Sequence, residues 1–432
     1  IFFVISGFLI TQIILTEISS GYFSIIKFYE RRIVRIFPAL ILVLLSCLAM
    51  GWFVQTATEF KSLGKHVVAS SGFVSNFLLW SEVGYFDSKA ATKPLLHLWS
   101  IAVEEQFYIF FPAIILIGLY LKVSVSLLIS ISIFISLIFT YVFSGIYDQS
   151  NEIFYLPFTR AWELGFGALL ANFYIYKHQF KKAATKVNEF LQIFIFFKNV
   201  KEIDVLSNFI SIVGLTLIFY SFFMVKSGES FSLFITLPTV IGSCCLIICG
   251  PNSFFNNYCL SNKILVSIGL ISYPLYLWHW PFLSMAKYLN LPSIINLPLI
   301  LITLFLSWLT YIFIENPIRQ KMNKRKSSCF LLAGMLITAT FALLIFSKDG
   351  IPSRYQKYQG EFNLNGSFRI NKDINFEKCE NAIGVIDSWC RTTKNPRTVL
   401  IGDSHIDQLF PVFRHFGPCR PLQSRNRTPL TP

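Results

Sequence analysis

Charge is scarce in this chain. Asp, Glu, Lys and Arg make up 14% of its 432 residues, against about 25% in a soluble globular domain. With 54% hydrophobic residues and 46 Phe, the chain is neither disordered nor collagen-like. Zinc-type Cys/His spacing is missing, so the nine cysteines do not form a zinc site. Most of them stand in apolar stretches, where Cys is a small hydrophobe. A charged leader is missing as well. The chain opens Ile1-Phe2-Phe3, with no Met and no signal-peptide pattern, and we expect a segment to precede it.

What is present is apolar length. Ten segments are long enough, or nearly so, to cross about 30 Å of hydrocarbon. They lie near 1–18, 37–54, 101–120, 124–145, 156–175, 206–225, 232–250, 264–286, 293–314 and 328–347. A shorter stretch, 67–80, reads as re-entrant or interfacial. So much apolar surface has no other stable solvent than a bilayer. The net charge of +14 would suggest nucleic acid in a soluble protein. Here it reads as orienting charge, and no nucleic-acid partner is expected. Alternate loops carry 17 Lys and Arg, against 6 in the opposite short loops. The positive-inside rule then places loops 19–36, 121–123, 176–205, 251–263 and 315–327 in the cytoplasm, and residues from Lys348 onward outside it.

Several segments carry candidate chemistry. In FYERRIVRIFPAL, Arg31 and Arg35 share a helix face with Arg32 beside them. Guanidinium groups bind phosphate bidentately, which suits a coenzyme A thioester; orientation anchors are the alternative. In KPLLHLWSIAVEEQFYIFFP, Glu104 and Glu105 begin an apolar span, with Ser100 a turn before Glu104 and Tyr108 a turn after. Carboxylates at membrane depth are functional by default; at the interface they would merely cap the helix. Arg160 and Glu163 stand i,i+3 and can pair, structurally or along a wet cavity. In SIGLISYPLYLWHWPFL, Ser272, Tyr276 and His279 fall on one face, beside Tyr273 and Trp280. His279 suits acid–base work or a structural interfacial place. Glu315-Asn316-Pro317 with Arg319 ends the next span. Finally, VLIGDSHIDQLFP reads as a strand entering a tight Gly402-Asp403-Ser404 turn, a geometry that exposes a Ser Oγ; a helix N-cap is the alternative.

Taken in order, FFVISGFLIT, FYERRIVRIFPAL, LLHLWSIAVEEQFYIFFP, FYLPFTRAWELGFGALLA, ISYPLYLWHWP and IENPIR resemble acyltransferase family 3, the integral-membrane O-acyltransferases of cell-surface sugars. The resemblance covers residues 1 to about 319. It implies an all-α polytopic membrane protein, with about ten transmembrane helices and one N-terminal helix missing. The start of an α/β SGNH-like extracytoplasmic module would follow, with IGDSH as its nucleophile block. On this reading residues 1–327 are the membrane acyltransferase domain and 328–347 an additional transmembrane helix. Residues 348–395 are an extracytoplasmic linker, 396–417 the module's start and 418–432 an aberrant or disordered tail.

The resemblance also implies an activity. Acetyl-CoA is the cytoplasmic donor, and the acetyl group passes through the bacterial inner membrane. A surface polysaccharide such as lipopolysaccharide accepts it. No cofactor or metal is expected to be bound. Arg31, Arg32 and Arg35 match the donor-handling arginine motif, and Glu104 and Glu105 the Glu-Glu-Gln-Phe-Tyr motif. Arg160, Glu163, Tyr273 and His279 match other signature positions. Ser404 would be the outer nucleophile, its main-chain N–H helping to form the oxyanion hole. The family's first span, with its Arg and a His ten residues on, has no counterpart here. Nor does the module's late Asp-x-x-His, so we expect a fragment truncated at both ends. A Cys379–Cys390 disulfide and two free thiols both remain open. A transporter or flippase is the alternative from another class, though the inverted repeats it predicts are not seen.

Overall fold

The computed structural model describes residues 1–82, 90–146, 153–175, 185, 187–189, 204–224, 233–321, 323–354, 376–378 and 389–391. They belong to two compact units, Ile1–Arg354 and Tyr355–Pro432. In the second unit, strands β1 (Phe376–Lys378) and β2 (Trp389–Arg391) pair antiparallel, with Glu377 opposite Cys390. Ser404, Cys379, the Val399–Ile401 strand and the tail 418–432 lie outside the described residues.

The first unit is helical. Its elements are α1 (Phe2–Ser19), α2 (Ile25–Val54), α3 (Ala57–Ser71), α4 (Ser75–Ser81), α5 (Trp99–Tyr120), α6 (Val125–Ile146) and α7 (Ala161–Ile175). Then come α8 (Val205–Met224), α9 (Leu233–Cys249), α10 (Lys263–Leu270), α11 (Ser272–Tyr288), α12 (Asn296–Thr310), α13 (Asn316–Lys321) and α14 (Lys324–Ser347). Among the described residues, eight helical segments are long and apolar enough to cross a membrane. Large apolar side chains such as Phe134, Phe222, Phe305 and Ile337 stand exposed on their outer faces, as lipid contact requires. The chain is a multi-pass membrane protein.

Two expected spans take a different form. Segment 156–175 becomes helical only at Ala161. Its fifteen described residues rise about 22 Å. The five residues before it form a turn in which the Arg160 and Ala161 amides donate to the Pro157 carbonyl. Segment 264–286 is broken at Ile271 into α10 and α11. The break falls just before Pro274, where the ring disfavours a continuing helix. The stretch 67–80 is also two pieces, α3 and α4, separated at Phe73, whose φ is 53°. A capping box opens α3: the Thr56 side chain accepts from the Glu59 amide, and the Glu59 side chain accepts from the Thr56 amide.

Helix α2 is the longest element and divides the interior. On one side Leu40, Leu44, Leu63, Leu277, Ala342 and Ile345 join α2, α3, α11 and α14 in one apolar core. On the other, Val4, Ile10, Phe28, Phe111, Ile133 and Trp162 join α1, α2, α5, α6 and α7 in a second. Arg354 closes the unit. Its guanidinium donates to the carbonyls of Gly51, Trp52, Gln55 and Thr56 at 2.6–3.0 Å and lies 4.2 Å over the Phe60 ring. It thereby ties the last turn of α2 to the start of α3.

Between the ends of α2 and α5, outside the spans, Glu82 gathers three partners. Lys65, His66 and Lys93 each approach its carboxylate to 3.0 Å. Burial pushes Glu82 up, but the hydrogen bonds and charge of His66, with Lys65 and Lys93, outweigh it. The carboxyl is held well below the usual range. A depressed folded value means stability that is present above the unfolded value of about 4.3 and lost as pH falls toward the folded one. The melting temperature in detergent is therefore expected to fall more steeply from about pH 5 to about pH 3 in wild type than in Glu82→Gln. Equal slopes would show that the cluster does not stabilise the fold.

Candidate functional site

Helix α5 carries the centre of the site. Its first turn contains no acidic residue. Glu104 and Glu105 stand inside the helix and are both 7% exposed. They are therefore not interfacial caps. Glu104 Oε1 accepts from the Ser6 hydroxyl of α1 and from the Tyr108 hydroxyl one turn on. Ser6 reaches it because α1 lies against α7 with almost no gap. A Cβ on Gly7 would stand 2.0 Å from the Leu164 carbonyl oxygen, and one on Gly167 2.0 Å from that of Val4. Glu105 is different: its Oε1 is buried and has no hydrogen-bond partner among the described residues. The next residue, Gln106, anchors the helix. Its amide donates to the Phe73 carbonyl at 2.8 Å and to Asn76 Oδ1 at 2.9 Å. The left-handed residue between α3 and α4 thus supports the carboxylate pair.

The cations come from α2. Arg32 lies 5.9 Å over the Phe28 ring and 5.6 Å over the Tyr108 ring, and its Nε is buried without a partner among the described residues. The charges of Arg32 and Arg35 act on both Glu104 and Glu105, and Arg35 also acts on Glu315. Tyr29 fixes the register of α2 against α5 by donating to the Ile109 carbonyl at 2.8 Å. Glu315 ends a π-helical turn, Tyr311–Glu315, and pairs with Arg319 at 2.8 Å. Tyr273 of α11 donates to the Ile36 carbonyl at 2.8 Å and shares the field of Glu105, Glu315 and Arg35.

One to two turns away along α5, toward its start, a second group assembles. The Tyr276 hydroxyl donates to the His97 carbonyl at 2.7 Å and shares a hydrogen bond of 2.5 Å with the Ser100 hydroxyl. Ser100 therefore engages Tyr276, although spacing alone sets it beside Glu104. His279 Nδ1 lies 2.6 Å from the Tyr276 carbonyl. A carbonyl only accepts, so this nitrogen carries the proton and Nε2 is left as the acceptor in the neutral ring. Ser272, Tyr276 and His279 line one groove of about 420 Å³ between α11 and α12, closed opposite by Ile300, Thr303 and Leu304. His97 lies behind them, its ring buried and neither ring nitrogen making a hydrogen bond of good geometry among the described residues.

The other predicted residues are placed as follows. Arg31 pairs with Glu17 at 2.8 Å, away from the carboxylates, while Arg32 and Arg35 face them. Arg160 and Glu163 pair at 2.6 Å and are both buried. Arg160 lies over the rings of Phe154 and Trp99, at 4.5 Å and 5.4 Å. The structure thus brings together Glu104, Glu105, Arg32, Arg35 and Tyr273, sets His279 nearer the start of α5, and keeps Arg160–Glu163 as a separate pair beside Trp99. No metal-binding group of three or more ligands occurs among the described residues. Sequence reasoning assigns no role to His97. The signal that marks it is its i, i+3, i+7 spacing with Ser100 and Glu104.

Residues 1–314 match the protein family described as an acyltransferase domain. The chain belongs to acyltransferase family 3. Among curated relatives it is similar to the O-acetyltransferase OatA of Staphylococcus aureus, 30% identical over 338 residues, 74% of this chain and 52% of that protein. It is similar to YrhL of Bacillus subtilis, provisionally named a peptidoglycan O-acetyltransferase, 30% identical over 336 residues, 74% of this chain and 50% of YrhL. An uncharacterized protein of Haemophilus influenzae is 42% identical over 182 residues, 40% of this chain and 74% of that protein. The chain spans about half the length of OatA and YrhL. No solved structure matches it. Within acyltransferase family 3, the buried Glu104–Glu105 pair with its neighbouring arginines and the Tyr276–His279 group are this member's candidate machinery.

Proposed function

We propose that the chain is the membrane part of an O-acetyltransferase. It takes an acetyl group from cytoplasmic acetyl-CoA and passes it to hydroxyls of a cell-surface polysaccharide such as lipopolysaccharide O-antigen. The observation that carries this reading is the buried column of polar groups along α5. Arg32 and Arg35 face Glu105 at one end, and the Tyr276–His279 group stands at the other. From Ile109, beside Tyr29, to His97 is twelve residues, a rise of about 18 Å. Groups so costly to bury are retained within a membrane for substrate handling.

The roles follow from position. Arg31, Arg32 and Arg35 hold the donor's phosphates at the cytoplasmic mouth, where planar guanidinium groups match phosphate geometry. The thin thioester arm then runs inward along the column. Glu104 is fixed by Ser6 and Tyr108 and orients the pair. Glu105, with an oxygen unpartnered among the described residues, gives a proton to the departing thiolate. His279 Nε2 takes the proton of the attacking hydroxyl, whose oxygen bonds the acetyl carbon as the C–S bond breaks. Arg160–Glu163 and Tyr273 brace the walls. Where the acyl group moves on to an outer module, Ser404 receives it.

The test is the O-acetyl content of lipopolysaccharide and peptidoglycan from cells carrying the intact protein. Ester on lipopolysaccharide, lost on Arg35→Ala with the protein still inserted, is the expected result. Ester on peptidoglycan alone would move the acceptor to the glycan in YrhL's name. No ester on any glycan would overturn the reading.

A further inference from the structure

We propose that His97 is a positioning residue of this site, acting through His279 as its proton-sharing partner. The inference rests on the acyl-transfer reading above and extends it to a side chain that reading leaves idle. His97 is 6% exposed, its ring is buried against the Leu277 backbone, and neither ring nitrogen makes a hydrogen bond of good geometry among the described residues. Leaving a polar group so buried costs about 1–3 kcal/mol. A buried imidazole so little satisfied has capacity for a further partner.

The surroundings say what it serves. Its ring centroid lies 5.4 Å from that of His279 and 5.2 Å from that of Tyr276, and those two are 5.4 Å apart. The three rings form a near-equilateral triangle, with His279 and Tyr276 on the groove and His97 behind them. The main chain of His97 is fixed by the Tyr276 hydroxyl, so its ring is held against His279. Proton exchange between the two rings at this separation calls for one bridging water, with His279 kept on the Tyr276 carbonyl.

The proton balance gives the pair its purpose. As the hydroxyl oxygen attacks the acetyl carbon, its proton passes to His279 Nε2. The C–S bond breaks, and the thiolate takes the proton of Glu105. The imidazolium left on His279 shares its proton with His97 through the bridging water. That proton then returns to Glu105 by way of water, and both histidines end neutral. Two imidazoles spread the charge over a site that burial makes hostile to one.

The test uses the intact protein in lipid nanodiscs, with thiol release from acetyl-CoA in the presence of glycan acceptor as the readout. His97→Gln keeps the side chain's length and polarity but cannot take a proton. It is expected to lower kcat about 100-fold and leave KM for acetyl-CoA within about twofold. His97→Ala is expected to regain activity with added imidazole. A His97→Gln enzyme with wild-type kcat overturns the inference. A loss expressed in KM instead of kcat overturns it too, since it would mark a packing or binding role. A wild type that releases no thiol overturns the acetyltransferase reading, and this inference with it. An active wild type with an indifferent His97 overturns only the inference.

Discussion

Glu105→Gln is expected to lower acetyl transfer about 10²- to 10⁴-fold, the range a positioned proton donor contributes. Glu105 Oε1, without a hydrogen-bond partner among the described residues, is the oxygen available to the leaving thiolate. Glutamine preserves volume and one hydrogen-bonding oxygen, so the loss should fall on kcat. Glu105→Ala is a harsher change. It also removes the buried side chain's volume and so adds a packing cost to the loss of the proton donor. Glu104 makes a contrast, because its oxygen is committed to Ser6 and Tyr108. Turnover of inserted Glu105→Gln within about threefold of wild type would remove Glu105 from the chemistry.

The second large effect is structural. Gly167→Leu is expected to yield no monodisperse protein, and Gly167→Ala to cost about 1–3 kcal/mol by overpacking. The reason is the reciprocal contact of α1 and α7. Any Cβ at Gly167 meets the Val4 carbonyl oxygen at 2.0 Å, and any at Gly7 meets that of Leu164. Backbone cannot step aside as a side chain does, so the helices must part. Parting them carries Ser6 away from Glu104, and transfer should fall along with stability. Close approach through small residues is the usual adhesive of membrane helices, where apolar surfaces gain nothing from leaving lipid. Gly269→Ala is the control, because a Cβ there meets nothing within 4 Å. Thermal unfolding of the two alanine variants in the same detergent decides the matter; equal midpoints would contradict the packing argument.

Much of this fold was legible in the sequence because membrane helices must satisfy their own backbone. Apolar runs of sufficient length therefore announce themselves, as in α2, α5 and α14. The exceptions share a cause. Pro157 and Pro274 stand within apolar runs, and hydropathy does not register the turn they impose before α7 or the break between α10 and α11. The candidate site was legible in its residue types. Glu104 and Glu105 stand out against an apolar background, as do the arginines. Their partners were not, because spacing on one helix cannot show which neighbour arrives from another. Ser100 turns to Tyr276 of α11, and Ser6 of α1 takes the place beside Glu104. Arg31 and Arg35 share a helical face in sequence terms, yet Glu17 claims Arg31 alone. His97 carried no signal beyond its spacing, since its isolation is a property of the packed interior.

The account stands or falls on the donor. Equilibrium binding of acetyl-CoA to the purified chain in nanodiscs, followed by calorimetry, tests it without requiring the acceptor or an outer module. Saturable binding is predicted, weakened at least about tenfold in Arg35→Ala, which is about 1.4 kcal/mol, and unchanged in Lys263→Ala at an exposed site. A wild-type chain that does not bind acetyl-CoA, or an Arg35→Ala chain that binds it equally well, would contradict the account.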